Sequence, residues 1–248
     1  GADLIAGLAG DDQINGYGGD DTMAGGADHD DLHGNDGNDQ LSGCDGDDSL
    51  QGGDGNDVLL GDTGDDLLFG DLGADQLDGG AGDDTLHAGM GDDWLRGGTG
   101  QDALHGGYGD DMLQGGTGAD TLFGGWGNDT LQGHEDADID YLNGGGGADQ
   151  IHFGAGDVVS SGSGADLIFA QTALAGAGEV MDFDIAEDTL VVVYDDSGSA
   201  APDLETTADG DNPDDMAIWL DGQLVATLRD VDPLASINIQ LLPRSELA

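Results

Sequence analysis

The sequence has no lysine and only three arginines, Arg96, Arg229 and Arg244, among 248 residues. Without a basic footprint the chain has nothing to set against phosphates, which excludes nucleic-acid binding through its own surface. The absence of lysine also removes Schiff-base chemistry and the phosphate-binding lysine of a P-loop. One cysteine, Cys44, excludes an internal disulfide. No stretch of about twenty apolar residues and no N-terminal signal peptide is present, so neither a spanning helix nor Sec export by this N-terminus is expected. Aromatics are scarce at 5%, and so is glutamate, which occurs at 135, 179, 187, 205 and 246 alone.

What fills the chain instead is aspartate and glycine. Of 54 acidic residues, 54 − 5 = 49 are Asp, the formal charge is −51, and 50 residues are Gly. Such acidity ordinarily describes a self-repelling, disordered chain. Disordered tails draw on both acids, however, whereas turns and metal loops specifically want the shorter carboxylate, held near its own backbone. The excess of Asp is therefore positional.

The register has a period of nine. Asp3, Asp12, Asp21, Asp30, Asp39, Asp48, Asp57, Asp66, Asp75, Asp84, Asp93, Asp102, Asp111, Asp120 and Asp129 follow one another at that spacing, each with an aliphatic residue two positions later, from Ile5 to Leu131. Gly stands two positions before every one except Asp30, which has Asp28 there. This is an internal repeat of the β-solenoid kind. In a unit such as Gly115 to Phe123, the glycine-rich stretch up to Asp120 predicts a tight turn, and Thr121-Leu122-Phe123 predicts a short strand with Leu122 pointing inward. Two units make a coil of eighteen residues, and coils stacked about 4.8 Å apart give a flattened solenoid about 35 Å long.

A core of one Leu per nine residues is too thin to offset the ordering of nine backbones and the repulsion among stacked aspartates. A cation must hold it. Aspartates eighteen apart fall on one edge in adjacent coils, among turn carbonyls, which makes an all-oxygen site suited to Ca²⁺ and its six to eight oxygens; Mg²⁺ demands a stricter octahedron. Zinc and copper want His or Cys, and the ligand column has neither.

The units Gly79-Gly80-Ala81-Gly82-Asp83-Asp84-Thr85-Leu86-His87 and Gly124-Gly125-Trp126-Gly127-Asn128-Asp129-Thr130-Leu131-Gln132 resemble the nonapeptide GGxGxDxUx of the RTX, or haemolysin-type calcium-binding, repeat. Strict register covers residues 1 to 132. The resemblance implies an all-β fold, a right-handed parallel β-roll that folds on Ca²⁺. It also implies a protein exported unfolded by a type I secretion system through an uncleaved C-terminal signal. Departures are local. Ala88 replaces a first glycine, and Leu8, Tyr17, Asn35, Cys44, Asp62 and Asp71 replace second glycines. After Asp129 the register slips by two, giving Asp140, and recovers at Asp149; Val158 then stands where Asp belongs, so that site is expected to be lost, and Asp166 closes the roll near residue 170.

The reading is thus a calcium-binding β-roll over 1–170, holding about 10–16 ions on these eighteen aspartates, and a β-rich cap with the secretion signal over 171–248. Strands are expected at 179–184, 189–194, 216–220, 223–228 and 237–242, the middle pair joined by an Asp221-Gly222 hairpin turn. Gly1 falls inside a nonapeptide, so a fragment with further repeats or an effector domain upstream is expected.

Other motifs carry less. His134-Glu135 begins an HExxH whose closing position is Asp138, and a bulge is favoured over zinc. Asp136, Asp138 and Asp140 imitate an EF-hand without its twelfth-position Glu, which leaves an extra calcium against a solvated insertion; 209–215 reads as an exposed acidic loop. His33, His87 and His105 share an outward column, with solvated histidines favoured over a transition-metal pair. Leu72, Met90, Tyr108 and Trp126 line one edge as a candidate partner or self-assembly surface, or a docking site for the cap. No catalytic constellation is found. Three functions remain open: a calcium-binding module of a secreted protein, a structural surface-layer, adhesin or filament subunit, and a non-catalytic appendage of a secreted enzyme.

Overall fold

The computed structural model describes residues 1–133, 136–171, 177–194, 202–210, 212, 214–231 and 237–246. Its strands alternate between two long sheets. Leu4–Ala9, Thr22–Ala27, Gln40–Asp45 and every second strand thereafter build a twelve-stranded sheet, and Gln13–Asn15, Asp31–Asp36, Ser49–Asp54 and their successors build a thirteen-stranded one. Within the roll every pairing is parallel at one coil's spacing, as in Leu86 to Leu104 and Leu95 to Leu113. The architecture is an all-β parallel solenoid of about ten coils with eighteen residues per coil.

The strands are twice as long as the sequence suggests. Thr121–Trp126 is a six-residue strand that includes both glycines and the residue after them, leaving only Gly127 to Asp129 for the turn. Composition places the glycines in turns, because they lack side chains for a sheet to pack; the coil has another use for them. The first of each pair faces inward, where an added Cβ would crowd the aspartate of its own unit, and the second takes positive φ, 113° at Gly116 and 118° at Gly125, which lets the strand run straight into the turn. Leu8, Tyr17, Asn35, Cys44, Asp62 and Asp71 keep that left-handed backbone without being glycine, at φ from 68° to 109°. Each pays about 1–2 kcal/mol for it, so the stacked neighbours over-determine the coil.

From Ile14 onward the inward aliphatic of each repeat unit is buried, and Ile5 at the open end is partly so. Leu32, Leu50, Leu68, Leu86, Leu104 and Leu122 form one ladder; Leu41, Leu59, Leu77, Leu95, Leu113 and Leu131 form its counterpart. The ladders continue through Leu142, Ile151, Val159, Ile168, Val180 and Leu190 despite changes in coil length.

The C-terminal segment lengthens both sheets. Thr189–Tyr194 and Ile239–Pro243 extend the first, while Gly178–Val180, Gln223–Leu228, Met216–Leu220 and Leu204–Ala208 extend the second, the last three antiparallel. Thr189–Tyr194 and the hairpin about Asp221-Gly222 lie where expected. The expected strand 179–184 is cut to Gly178–Val180, since the Asp182 carboxylate accepts from the Ser161 N–H and the Ser160 hydroxyl and the chain then turns through Asp184–Asp188. The last strand is Ile239–Pro243 rather than 237–242, and Leu204–Ala208, a largely exposed edge strand, was not foreseen.

Candidate metal centres

Two columns of aspartate run the length of the roll. Each Asp in register accepts, through Oδ1, the backbone N–H of the Asp one coil earlier, at 2.6–3.1 Å: Asp3 donates to Asp21, Asp12 to Asp30, and so on to Asp129 and Asp149. A second ladder runs the other way. The side chain just before the ligand Asp accepts the N–H of its equivalent one coil later, as from Asn56 to Asn38 at 2.8 Å and from Asp83 to Asp65 at 2.9 Å. The turns are thereby pinned from above and below.

The other carboxylate oxygen is the informative one. Oδ2 of Asp12, Asp21, Asp30, Asp39, Asp48, Asp57, Asp66, Asp75, Asp84, Asp93, Asp102, Asp111, Asp120, Asp129, Asp149 and Asp166 is buried without a hydrogen-bond partner. An unpaired buried charge is among the costliest groups a fold can hold. Those oxygens face the inward glycine of their own unit. A Cβ on Gly70 would fall inside 3.0 Å of Asp75 Oδ2 and at 2.7 Å from the Ala88 carbonyl of the next coil, and the pattern recurs from Gly7 to Gly144. Carboxylate and carbonyl oxygens thus converge on space kept free of side chains.

The titration of these groups reflects the same burial. Desolvation pushes Asp66, Asp75, Asp102 and Asp111 up to about 7 and Asp57, Asp84, Asp120, Asp129, Asp149 and Asp166 to about 6; the ladder N–H pulls down, and neighbouring carboxylates add to the rise. Asp140, beside Asp157, Asp120 and Asp136, reaches about 8. Among the described residues no three His, Cys, Asp or Glu side chains gather at one point. Carboxylates joined by backbone carbonyls or water make a hard, all-oxygen set that fits Ca²⁺ and not zinc or copper.

The family model described as RTX calcium-binding nonapeptide repeat (4 copies) matches residues 1–32, 33–68, 69–104, 105–140 and 136–159. The chain belongs to that family. A search of curated proteins finds no match. RTX repeats wound into a β-roll fit a calcium-binding module. Calcium, when bound, would supply the positive charge that the buried oxygens lack; the register aspartates, whose Oδ2 is unpartnered while Oδ1 holds the ladder, are the residues that would hold it.

All eighteen aspartates proposed as ligands stand in the two ladders, with Asp3 and Asp12 more open at the N-terminal end. Two further residues join them. Asp157, not Val158, occupies the position after Asp140, which donates to its Oδ1 at 3.1 Å; this coil is seventeen residues long, and Val158 faces outward beside Tyr141. The site thought lost to Val158 therefore has its carboxylate, although Asp157 Oδ2 accepts from the Gly154 N–H at 2.6 Å. The signal was present, since Asp157 precedes inward Val159 by two and Asp166 by nine. Asp188, two before Leu190, takes the Asp166 N–H at 3.1 Å, and its Oδ2 is filled by the Asp184 N–H and the Ser161 hydroxyl.

Asp136 does not build an EF-hand. Its Oδ2 accepts the Gly118 N–H at 2.7 Å and its Oδ1 the Asp138 N–H, so within the RTX coil it replaces a turn carbonyl. His134 and Glu135 lie outside the described residues. The loop 209–215 is not simply exposed and acidic, for Asp215 is fully buried. Arg229 donates to it at 2.7 Å and also pairs with Glu179, tying the loop to two strands. Desolvation would raise the Asp215 carboxyl, but Arg229, the Asp230 N–H and Asn212 outweigh it and hold it below the usual range. Residues 211 and 213 lie outside the described residues.

His87 and His105 stack face to face at 4.6 Å, flanked by Phe69 at 5.2 Å and Phe123 at 4.9 Å. Ring nitrogens bond in the ring plane, so parallel stacked rings do not aim lone pairs at one ion. Burial in the stack lowers both pKa values. His33 is separate, bonded to Gln51 and Asp31. Leu72, Met90, Tyr108 and Trp126 end four successive strands of the second sheet and are 44–66% exposed. No helix among the described residues is long and apolar enough to cross a membrane.

Proposed function

We propose that this chain is the calcium-switched folding module of a secreted protein, unfolded during type I export and folded outside the cell at millimolar calcium. The carrying observation is the two columns of buried, unpartnered carboxylate oxygens, sixteen in all, which give a chain ordered with the ion and self-repelling without it. Membership of the RTX family supports the export route, and the scarcity of the residues that chemistry needs supports a non-catalytic role for this chain. Bacteria carrying a type I exporter should release the chain into the medium, whereas a version ending at Glu187 should stay inside. Release of both forms, or of neither, overturns the export reading.

A specific observation favours a second reading, that of a structural subunit. The strands Thr85–Met90, Ala103–Tyr108, Thr121–Trp126, Tyr141–Gly146 and Val158–Ser163 carry no carboxylate at all on a chain of −51, and Tyr108 and Trp126 stand 58% and 66% exposed along them. An apolar strip of this kind is a contact surface. Calcium-dependent sedimentation as oligomers, reversed by Trp126→Ser, is the expected behaviour of such a subunit. A chain that sediments as a monomer with and without calcium removes this reading.

A further inference from the structure

Between Asp12 and Asp129 the aspartate ladder has one unit unlike the rest. Fourteen units place an inward glycine five residues before the ligand aspartate, at 7, 16, 25, 34, 43, 52, 61, 70, 79, 97, 106, 115, 124 and 144, and at every one an added Cβ would come inside 3.0 Å of that aspartate's Oδ2. In the unit of Asp93 the residue is Ala88, which carries a real Cβ and is fully buried. The ladder nevertheless passes through undisturbed, with the Asp75 N–H on Asp93 Oδ1 at 2.7 Å and the Asp93 N–H on Asp111 Oδ1 at 2.9 Å. The strand Thr85–Met90 also keeps full register with its neighbours on both sides. Asp93 Oδ2 remains buried and unpartnered like the others.

The methyl group therefore leaves the coil intact and takes up part of the space beside the one oxygen that is free for an ion. We propose that Ala88 makes the site of Asp93 the weakest in the uninterrupted array from Asp21 to Asp129, so that calcium fills the roll as two blocks separated at this coil. This rests on the calcium reading of the repeats. A cavity-lining methyl acts here by its volume alone, since it removes no ligand and adds no charge. An ion at 2.3–2.6 Å from its oxygens tolerates little displacement of any one of them.

Calcium bound per chain is to be counted by equilibrium dialysis and atomic emission, at a free calcium of about 0.1 mM, the lower end for extracellular calcium modules. Ala88→Gly should hold one more ion per chain than the parent, and the calcium titration followed by circular dichroism should merge from two steps into one. Gly70→Ala, which adds a second methyl at the equivalent place one coil back, should lose one ion while reaching the parent's strand signal at saturating calcium. Equal ion counts in parent and Ala88→Gly, with identical titrations, overturn the proposal. A parent chain that binds no calcium overturns the reading beneath it instead, so the two failures are distinguishable.

Discussion

In excess EDTA at neutral pH the chain should lose most of its strand signal, and millimolar calcium should restore it, followed by far-ultraviolet circular dichroism. The reason is the placement of the carboxylates. Between Asp12 and Asp166 sixteen oxygens are buried with no donor, and a core one leucine wide per sheet cannot offset that desolvation. Magnesium at the same concentration should restore far less, because it demands near-octahedral geometry and keeps its waters. The loss should not be uniform. Past Asp166 the buried carboxylates have protein donors: Asp188 is held by Asp166, Asp184 and Ser161, and Asp215 by Arg229, Asp230 and Asn212. Hydrogen exchange in EDTA should therefore leave protection in the strands from Thr189 to Leu228 after the roll has lost it. A strand signal and melting curve unchanged by chelation would sink the calcium-switch reading.

That asymmetry also marks where the sequence is legible. The ladders of Asp12 to Asp129 and of their leucines could be read at once, because a parallel coil places residue i directly over residue i − 18 and converts sequence period into spatial column. The length of the strands could not. Glycine in a turn and glycine facing the roll interior look alike in composition, and only the approach of Asp75 Oδ2 to Gly70 tells them apart. Asp157 was missed by counting in nines when the coil had shortened; the physical signature, an aspartate two before an inward aliphatic, is indifferent to coil length and finds both Asp157 and Asp188. The Arg229 cluster joins residues up to fifty positions apart with no period to connect them, so nothing in the sequence announces it. The stacking of Phe69, His87, His105 and Phe123 was implicit in their eighteen-residue spacing, but its meaning depended on ring orientation.

Acid should replace calcium in part. Burial raises the folded-state pKa values of Asp57, Asp66, Asp75, Asp84, Asp102, Asp111, Asp120, Asp129, Asp149 and Asp166 from 3.8 to about 6 to 7, and that of Asp140 to about 8, whereas an unfolded chain leaves aspartate near its ordinary value. A group whose pKa is raised on folding favours the folded state when protonated. Its contribution is fully present below about pH 4 and is lost as pH climbs through 6 to 8. Without calcium, then, the chain should gain strand signal as pH falls from 8 toward 5, the window in which buried carboxylates protonate before exposed ones. Protons and calcium both bind the folded chain in preference to the unfolded one, so in the same window the calcium needed for half-folding should fall. The measurement is a calcium titration by circular dichroism at unit steps of pH from 8 to 5, kept above the isoelectric point of about 4.1 so that precipitation does not imitate folding. A metal-free signal flat across that range, together with a calcium midpoint independent of pH, would mean that the buried carboxylates do not govern the switch.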